Sequence, residues 1–210
     1  MLFRSGEAQA YLSTFVSRET LDRLQIYVDM LVKWQKAINL VAPATLPDAW
    51  SRHIVDSAQI FPLAAKSSGK WLDMGSGGGF PGLVCAIIAA EKSPDISFHF
   101  IESDLRKCAF LRDVARQVGI SINVMSRRIE DAPPQNADII SARALSDLSK
   151  LCTLSYRHLA TDGQCLFLKG QSAPQEIDTA KESWQMSIKT HPSVTSDDGQ
   201  IIEIKELRRV

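Results

Sequence analysis

An open α/β sheet, mostly parallel and preceded by a helical N-terminal segment, is the fold class that this chain of 210 residues predicts. Three observations carry it. A short apolar run at 70–74 passes through a glycine cluster into an apolar helical stretch at 83–90. From Lys70 onward strand-like and helix-like segments alternate, which is the sequence form of a doubly wound sheet. Before Lys70, Leu21, Leu24, Val28, Leu31 and Val32 recur at spacings of three and four, with Trp34 and Ile38 extending the stripe. Asp22, Arg23, Asp29 and Lys33 fall off it, so this is an amphipathic helix with a face to bury.

In order, residues 7–65 read as helices. Asn39-Leu40-Val41-Ala42-Pro43 ends the first long one, and Pro43 and Pro47 bracket a short connection to a second helical stretch at 48–65, interrupted near Pro62. Residues 1–66 are expected as an N-terminal helical subdomain and 67–210 as the sheet domain, with 66–69 as linker. Strands follow at 70–74, 97–101 (ending on Glu102), 121–125, 137–141 and 164–169. Helices are expected at 83–90, 106–118 and 145–159, with Phe110, Leu111, Val114 and Val118 facing inward and Gly119 closing the second. The tail, 185–210, predicts two closing strands joined across Ser196-Asp197-Asp198-Gly199, making seven.

Composition narrows the function classes. Lys plus Arg equals Asp plus Glu at 24 each, so no global field attracts nucleic acid and any RNA contact comes from a local patch. Cys85, Cys108, Cys152 and Cys165 form no C-x-x-C pair and read as reduced core thiols, so neither a disulfide framework nor a metal site is expected. No apolar run reaches membrane-spanning length and the N-terminus lacks a signal layout, which leads to a cytoplasmic expectation.

The glycine cluster decides the ligand class. Residues 77–82 satisfy the dinucleotide pattern G-x-G-x-x-G, but its first glycine should directly follow the strand, and here Asp73 and Gly75 come first. Counted from Asp73 the run is D-x-G-x-G-x-G, with Gly75, Gly77 and Gly79. That run resembles motif I of the class I S-adenosylmethionine-dependent methyltransferases, a Rossmann-like fold with a mostly parallel seven-stranded sheet. In that family the loop approaches the methionine part and ribose of the cofactor, and the acidic residue helps hold the ammonium. A cation wants an anion beside it rather than a helix N-terminus tuned for phosphate.

Strand ends supply the next candidates. Glu102 is placed to accept from both ribose hydroxyls, or else caps the helix beginning near Asp104. Ile129-Glu130 resemble the family's adenine-edge position, with Glu130 as a plain surface residue the alternative. After the fourth strand comes Ser141-Ala142-Arg143-Ala144, with no cysteine nucleophile. Pro133-Pro134 precede the strand, so they are not the diproline run that orients an amine substrate. Arg143 remains, suited to guanine edges, a phosphate, the cofactor carboxylate, or a structural ion pair with Glu102 or Asp138. His53 and Asp56, three apart, share a helix face where the carboxylate could orient the imidazole, or His53 simply packs.

Gly-Phe-Pro-Gly at 79–82, Arg52 to Ser57, Asn39-Leu40-Val41, Ser141 to Ala144 and Leu168-Lys169-Gly170 together resemble the bacterial RsmG family, formerly glucose-inhibited division protein B, across essentially the whole chain. The resemblance implies methylation of guanine N7 in the decoding-centre loop of 16S ribosomal RNA, within the small subunit or an assembly intermediate, with S-adenosyl-L-methionine as donor. It also implies that Gly75, Phe80, Ile129, Glu130 and Arg143 contact the cofactor, and it suggests that Arg52, His53 and Asn39 shape the entrance. Gly78 departs from a proline of some members, which relaxes the loop. Guanine N7 loses no proton on methylation, so the absence of an evident base is expected. Arg112, Arg116, Arg127, Arg128, Lys169, Lys205, Arg208 and Arg209 are candidate phosphate contacts. A small-molecule methyltransferase, a Rossmann oxidoreductase and a noncatalytic cofactor-binding RNA protein are the rival readings.

Overall fold

The computed structural model describes residues 5–210. Its centre is a seven-stranded sheet in the order β3-β2-β1-β4-β5-β7-β6. The strands are β1 (Ser68–Met74), β2 (Asp95–Glu102), β3 (Asn123–Ser126), β4 (Ala137–Arg143), β5 (Leu159–Lys169), β6 (Trp184–Pro192) and β7 (Gln200–Arg209). Pairing is parallel from β3 through β5; β7 runs antiparallel to both β5 and β6. The chain leaves β1 toward β2 on one side and returns to β4 on the other, so strand order reverses between β1 and β4. A crevice opens at such a reversal, above the C-terminal strand ends.

Alternation along the strands divides the core. Trp71, Phe98, Phe100, Ile139 and Leu166 face one way, against α4 (Gly82–Lys92) and α5 (Leu105–Gln117). Leu72, Met74, Ile101, Ile140 and Phe167 face the other, against α6 (Leu148–His158) and α7 (Ala173–Lys181). The N-terminal helices α1 (Ser5–Leu12) and α2 (Arg18–Gln35) join the first layer. Leu24, Tyr27, Val28 and Leu31 of α2 belong to the same continuous core as Phe110 and Leu111 of α5. Helix starts follow local chemistry: Ser17 accepts from Thr20 N–H, Asp104 from Arg106 and Lys107 N–H, and Asp147 from Lys150 N–H.

Several boundaries differ from expectation. The helical stretch expected at 48–65 is broken into a π-helical turn (Trp50–Val55), α3 (Asp56–Ala58) and a 3₁₀ turn (Phe61–Leu63), and the connection before it is a further 3₁₀ turn (Pro43–Asp48). Pro43 and Pro47 fall in the 3₁₀ turn at Pro43–Asp48 and Pro62 in the one at Phe61–Leu63, where each lacks an N–H to donate; the π-helical turn and α3 contain no proline. The helix expected from 145 starts at Leu148, because the Asp147 side chain caps it there. Half of the expected linker belongs to β1, where Gly69 takes φ +103 beside Asp138. Helix α7 was not anticipated, since its apolar face is only Ala173, Ile177 and Ala180. All four cysteines are free and buried, as expected of core thiols. Among the described residues no helix is long and apolar enough to cross a membrane, and no metal-binding group of side chains occurs.

Gln164 of β5 stitches the N-terminal segment to the sheet. Its Oε1 accepts from Ala65 N–H at 2.8 Å, and its Nε2 donates to the Leu63 carbonyl and to Glu203, both at 2.9 Å. Replacing it by leucine keeps the volume and orphans these groups, so Gln164→Leu is expected to destabilise the protein by about 1–3 kcal/mol, read as a lower urea midpoint at unchanged slope.

Candidate functional site

β1 delivers the chain into the glycine loop, where Gly75, Gly77 and Gly79 take φ +64, +53 and +93, a region other residues enter only under strain. A Cβ at Gly75 would lie 2.5 Å from Leu145, and one at Gly82 would lie 2.5 Å from Asp73. Asp73 itself is fully buried beneath the loop. Its Oδ1 accepts from Ser141 Oγ at 2.6 Å, and Ser141 accepts from Trp71 Nε1 at 2.9 Å, which ties β1 to β4. Its Oδ2 has no partner. Burial pushes the Asp73 carboxyl up to about 6, against the pull of Ser141, Ser76, Arg143 and the Gly82 N–H.

Above the loop stands a column of rings. Phe80 stacks on Tyr27 of α2 at 5.2 Å between centroids and on His53 at 4.9 Å, while the Arg143 guanidinium lies 4.8 Å from the Phe80 centroid. The Tyr27 hydroxyl donates to the Gly78 carbonyl. Arg143, at the end of β4, donates through Nη1 to Asp56 Oδ2 at 3.2 Å and to the Arg52 carbonyl at 3.1 Å. Its Nη2 meets His53 Nδ1 at 3.0 Å. Thr45 gives its own proton to the Ala42 carbonyl, so it accepts from His53 Nε2 at 2.8 Å, which leaves Nδ1 as the acceptor for Arg143. Burial, then the Arg143 and Arg52 charges, lower the His53 pKa to about 3, so the ring is neutral.

The C-terminal hairpin closes the far side. Asp56 Oδ1 accepts from Thr195 Oγ1 at 2.7 Å and from Gln59 Nε2 at 3.0 Å. Gln59 Oε1 in turn accepts from Val194 N–H at 2.8 Å. Lys169 of β5 pairs with Glu176 of α7 at 2.5 Å and donates to the Ser146 carbonyl at 2.8 Å, fixing the loop after β4. The result is a cavity of about 610 Å³ walled by the glycine loop, residues 40–42, the π-helical turn, the β4 and β5 ends and the β6–β7 turn.

Of the site residues singled out from sequence, Gly75, Gly77, Phe80, His53, Arg52, Arg143 and Lys169 line this cavity, and Gly79 does not. Asp73 lies below it. Glu102 is buried beside it and ties the glycine loop to the residue that caps α5. Its Oε2 accepts from Gly77 N–H and its Oε1 from Asp104 N–H, each at 2.8 Å. Ile129 is buried, its carbonyl bound by His158 Nε2 at 3.1 Å, and Glu130 is exposed and pairs with Lys150 at 3.2 Å; neither lines the cavity. Asn39 is exposed outside it, accepting from Gln35, while its neighbours Leu40 to Ala42 form wall.

Three expectations change. Arg143 pairs with neither Glu102, whose oxygens serve the loop, nor Asp138, which sits at the opposite end of β4 and holds Lys66 at 2.5 Å. Asp56 does not orient His53 directly, because the Arg143 guanidinium bridges the two. Among the candidate phosphate contacts, Lys169, Arg116 and Lys205 pair with Glu176, Asp113 and Glu203, and Arg112 is bonded to the Val124 carbonyl. Arg127, Arg128, Arg208 and Arg209 remain exposed. Sequence reasoning missed Tyr27, Thr45, Gln59 and Thr195, whose roles depend on long-range partners and leave no local motif.

A model of the family described as rRNA small subunit methyltransferase G matches residues 20–204. The chain belongs to that family. A relative from Jannaschia sp. named ribosomal RNA small subunit methyltransferase G is 49% identical over 95% of this chain and 95% of its own. One of the same name from Ruegeria sp. (strain TM1040) is 48% identical over 98% and 100%. A solved structure from Methanococcus maripaludis, described as an S-adenosyl-L-methionine-dependent methyltransferase, superposes with a TM-score of 0.59. It shares 15% identity and covers 85% of this chain and 91% of that one. The fold is that of the class I methyltransferases, and the protein is a methyltransferase whose cofactor is S-adenosylmethionine.

The rRNA small subunit methyltransferase G family site fits that cofactor on its own geometry. The cavity volume lies in the range of small-molecule sites. The Gly77 α-carbon meets open space, its nearest neighbour to an added Cβ being 3.9 Å away, so a side chain there would occupy ligand room. Asp73 Oδ2 is an unpartnered acceptor just under the loop.

Protonation of His53 is resisted only in the folded state, from the usual value of 6.5 down to about 3, so its contribution to stability is whole above pH 6.5 and lost as pH falls toward 3. Asp73, raised to about 6, has the opposite sign: its burial penalty is relieved as pH falls from 6 toward 4. Urea titrations of wild type and His53→Asn should therefore converge below pH 6.5, at up to about 1.4 kcal/mol per pH unit.

Proposed function

We propose that this enzyme transfers the methyl group of S-adenosylmethionine to N7 of a guanine in the decoding-centre loop of 16S rRNA, acting on the small ribosomal subunit or an assembly intermediate in the cytoplasm. One observation carries the choice of acceptor atom: among the described residues the cavity wall offers no group free to take a proton. His53 is neutral with both ring nitrogens engaged, and both Asp56 oxygens are bonded, to Arg143, Thr195 and Gln59. An amine, hydroxyl or ring-carbon acceptor sheds a proton, whereas guanine N7 attacks with a free lone pair. The names of the relatives, ribosomal RNA small subunit methyltransferase G, support the same substrate.

When bound, S-adenosylmethionine supplies a methyl group on a positively charged sulfur leaving group. The protein supplies alignment, and holding two reactants in attack geometry contributes on the order of 7–11 kcal/mol. In this reading the backbone of Gly75, Gly77 and Gly79 and the ring of Phe80 bed the cofactor, and Asp73 offers its free oxygen to the ammonium side. Glu102 exchanges its Gly77 bond for the ribose hydroxyls, and Ile129 and Glu130 flank the adenine edge. Arg143 is held in one plane by Asp56, His53 and the Phe80 face, so its remaining donor edge is aimed rather than swinging. The N-terminal helical subdomain, bounded at residue 66 and described from residue 5, walls the cavity through residues 40–59, with His53 and Asn39 at its entrance.

Mapping N7-methylguanine by chemical cleavage of 16S rRNA, with and without this protein, tests the reading; an unmodified decoding loop alongside labelled small metabolites would overturn it. Arg143→Ala should lower single-turnover methyl transfer about tenfold or more, a loss of about 1.4 kcal/mol in barrier stabilisation. Arg143→Lys should not restore it, since an ammonium cannot bridge Asp56 and His53 in one plane.

A further inference from the structure

Four cations reach the cavity wall: Arg52, Lys107, Arg143 and Lys169. Two are compensated inside the protein, Arg143 by Asp56 at 3.2 Å and Lys169 by Glu176 at 2.5 Å. Arg52 and Lys107 have no acidic partner within 4.0 Å among the described residues. His53 is neutral, and among the described residues Asp56 is the only carboxylate on the wall. In a chain whose charges otherwise cancel at 24 each, the wall is left with two uncompensated positive charges, in a concave setting that concentrates their field.

Both side chains spring from fixed backbone. The Arg52 carbonyl is held by Arg143 at 3.1 Å, and the Lys107 N–H is held by Asp104 at 3.3 Å in the first turn of α5. Arg52 is exposed and Lys107 half-buried, so their heads reach solvent at the mouth. The methyl donor does not account for them: it has one carboxylate for two cations, and its net positive charge is repelled by such a wall. A polyanion does. A base presented to a recessed site must leave its stack, which carries the phosphates on either side of it to the rim.

We propose that Arg52 and Lys107 bind phosphodiester groups flanking the target nucleotide, and so draw a single-stranded RNA segment across the cavity mouth. This rests on the rRNA reading above. Arg52, grouped from sequence with the entrance residues, gains a ligand class here, and Lys107 joins it.

The experiment compares wild type, Arg52→Gln, Lys107→Gln and Arg52→Lys for binding to small-subunit particles lacking the methyl group, over a series of salt concentrations. Calorimetric binding of S-adenosylhomocysteine to each free protein runs in parallel. Each Gln variant should bind particles about tenfold or more weakly at physiological salt. The slope of log affinity against log salt should shrink by about 0.7–0.9 per cation removed. Arg52→Lys should keep the wild-type slope, and S-adenosylhomocysteine affinity should stay at the wild-type value throughout. Unchanged particle affinity and slope in both Gln variants would overturn the proposal. Weakened S-adenosylhomocysteine binding with an unchanged slope would also overturn it, giving the cations to the cofactor carboxylate. If wild type itself neither binds nor methylates the particles, it is the rRNA reading that fails.

Discussion

The placement of the Phe80 ring is the constraint on which the site depends. Phe80 is the first bulky residue after the glycines, and the loop cannot hold a ligand-sized curve unless that ring is parked. Tyr27 stacks on it at 5.2 Å and His53 at 4.9 Å, and the same tyrosine anchors the loop through the Gly78 carbonyl. Both partners come from outside the sheet, one from α2 and one from the π-helical turn. The N-terminal segment is thereby built into the cofactor loop, and its helices share a continuous core with the sheet's first face. His53 can do this because it is uncharged: a protonated ring would face the Arg143 guanidinium at 3.0 Å with no acceptor to offer it.

How far the chain could be read from sequence follows from the range of each interaction. The seven strands, the glycine loop and the α2 stripe were legible because period, glycine positions and strand-end acids are local signals. The division of 48–65 into three short pieces was not, since a proline shows that a helix breaks but not which repeat replaces it. Arg143 was legible as important because of its position after β4. Its partner was not, because Asp56 lies 87 residues away. Thr195 and Gln59 left no trace for the same reason: 135 to 139 residues separate the hairpin from the groups it bonds. Glu102 shows a milder case: its place at a strand end was legible, but its two oxygens hold the backbone N–H groups of Gly77 and Asp104, partners that no local pattern names.

Charge is distributed with similar economy of partners. A neutral total conceals a cavity in which some cations are locked to acids and others are not, and the locked ones shape the walls. Lys169 with Glu176 holds the loop after β4, and Arg143 with Asp56 joins β4 to α3. Asp73 is the counterpart on the acidic side, a carboxylate kept under the loop with one oxygen spent on Ser141 and the other open.

The bonds from Ser193 to Thr195 onto Asp56 and Gln59 have a further consequence during synthesis. Residues 50–60 emerge from a translating ribosome long before 193–200, so a nascent chain can lay down its glycine loop and ring column while the opposite wall is still missing. The catalytic chamber is completed only when that late hairpin docks. A polypeptide that ends upstream of residue 193 lacks this closure and also β7, the strand that joins β5 to β6.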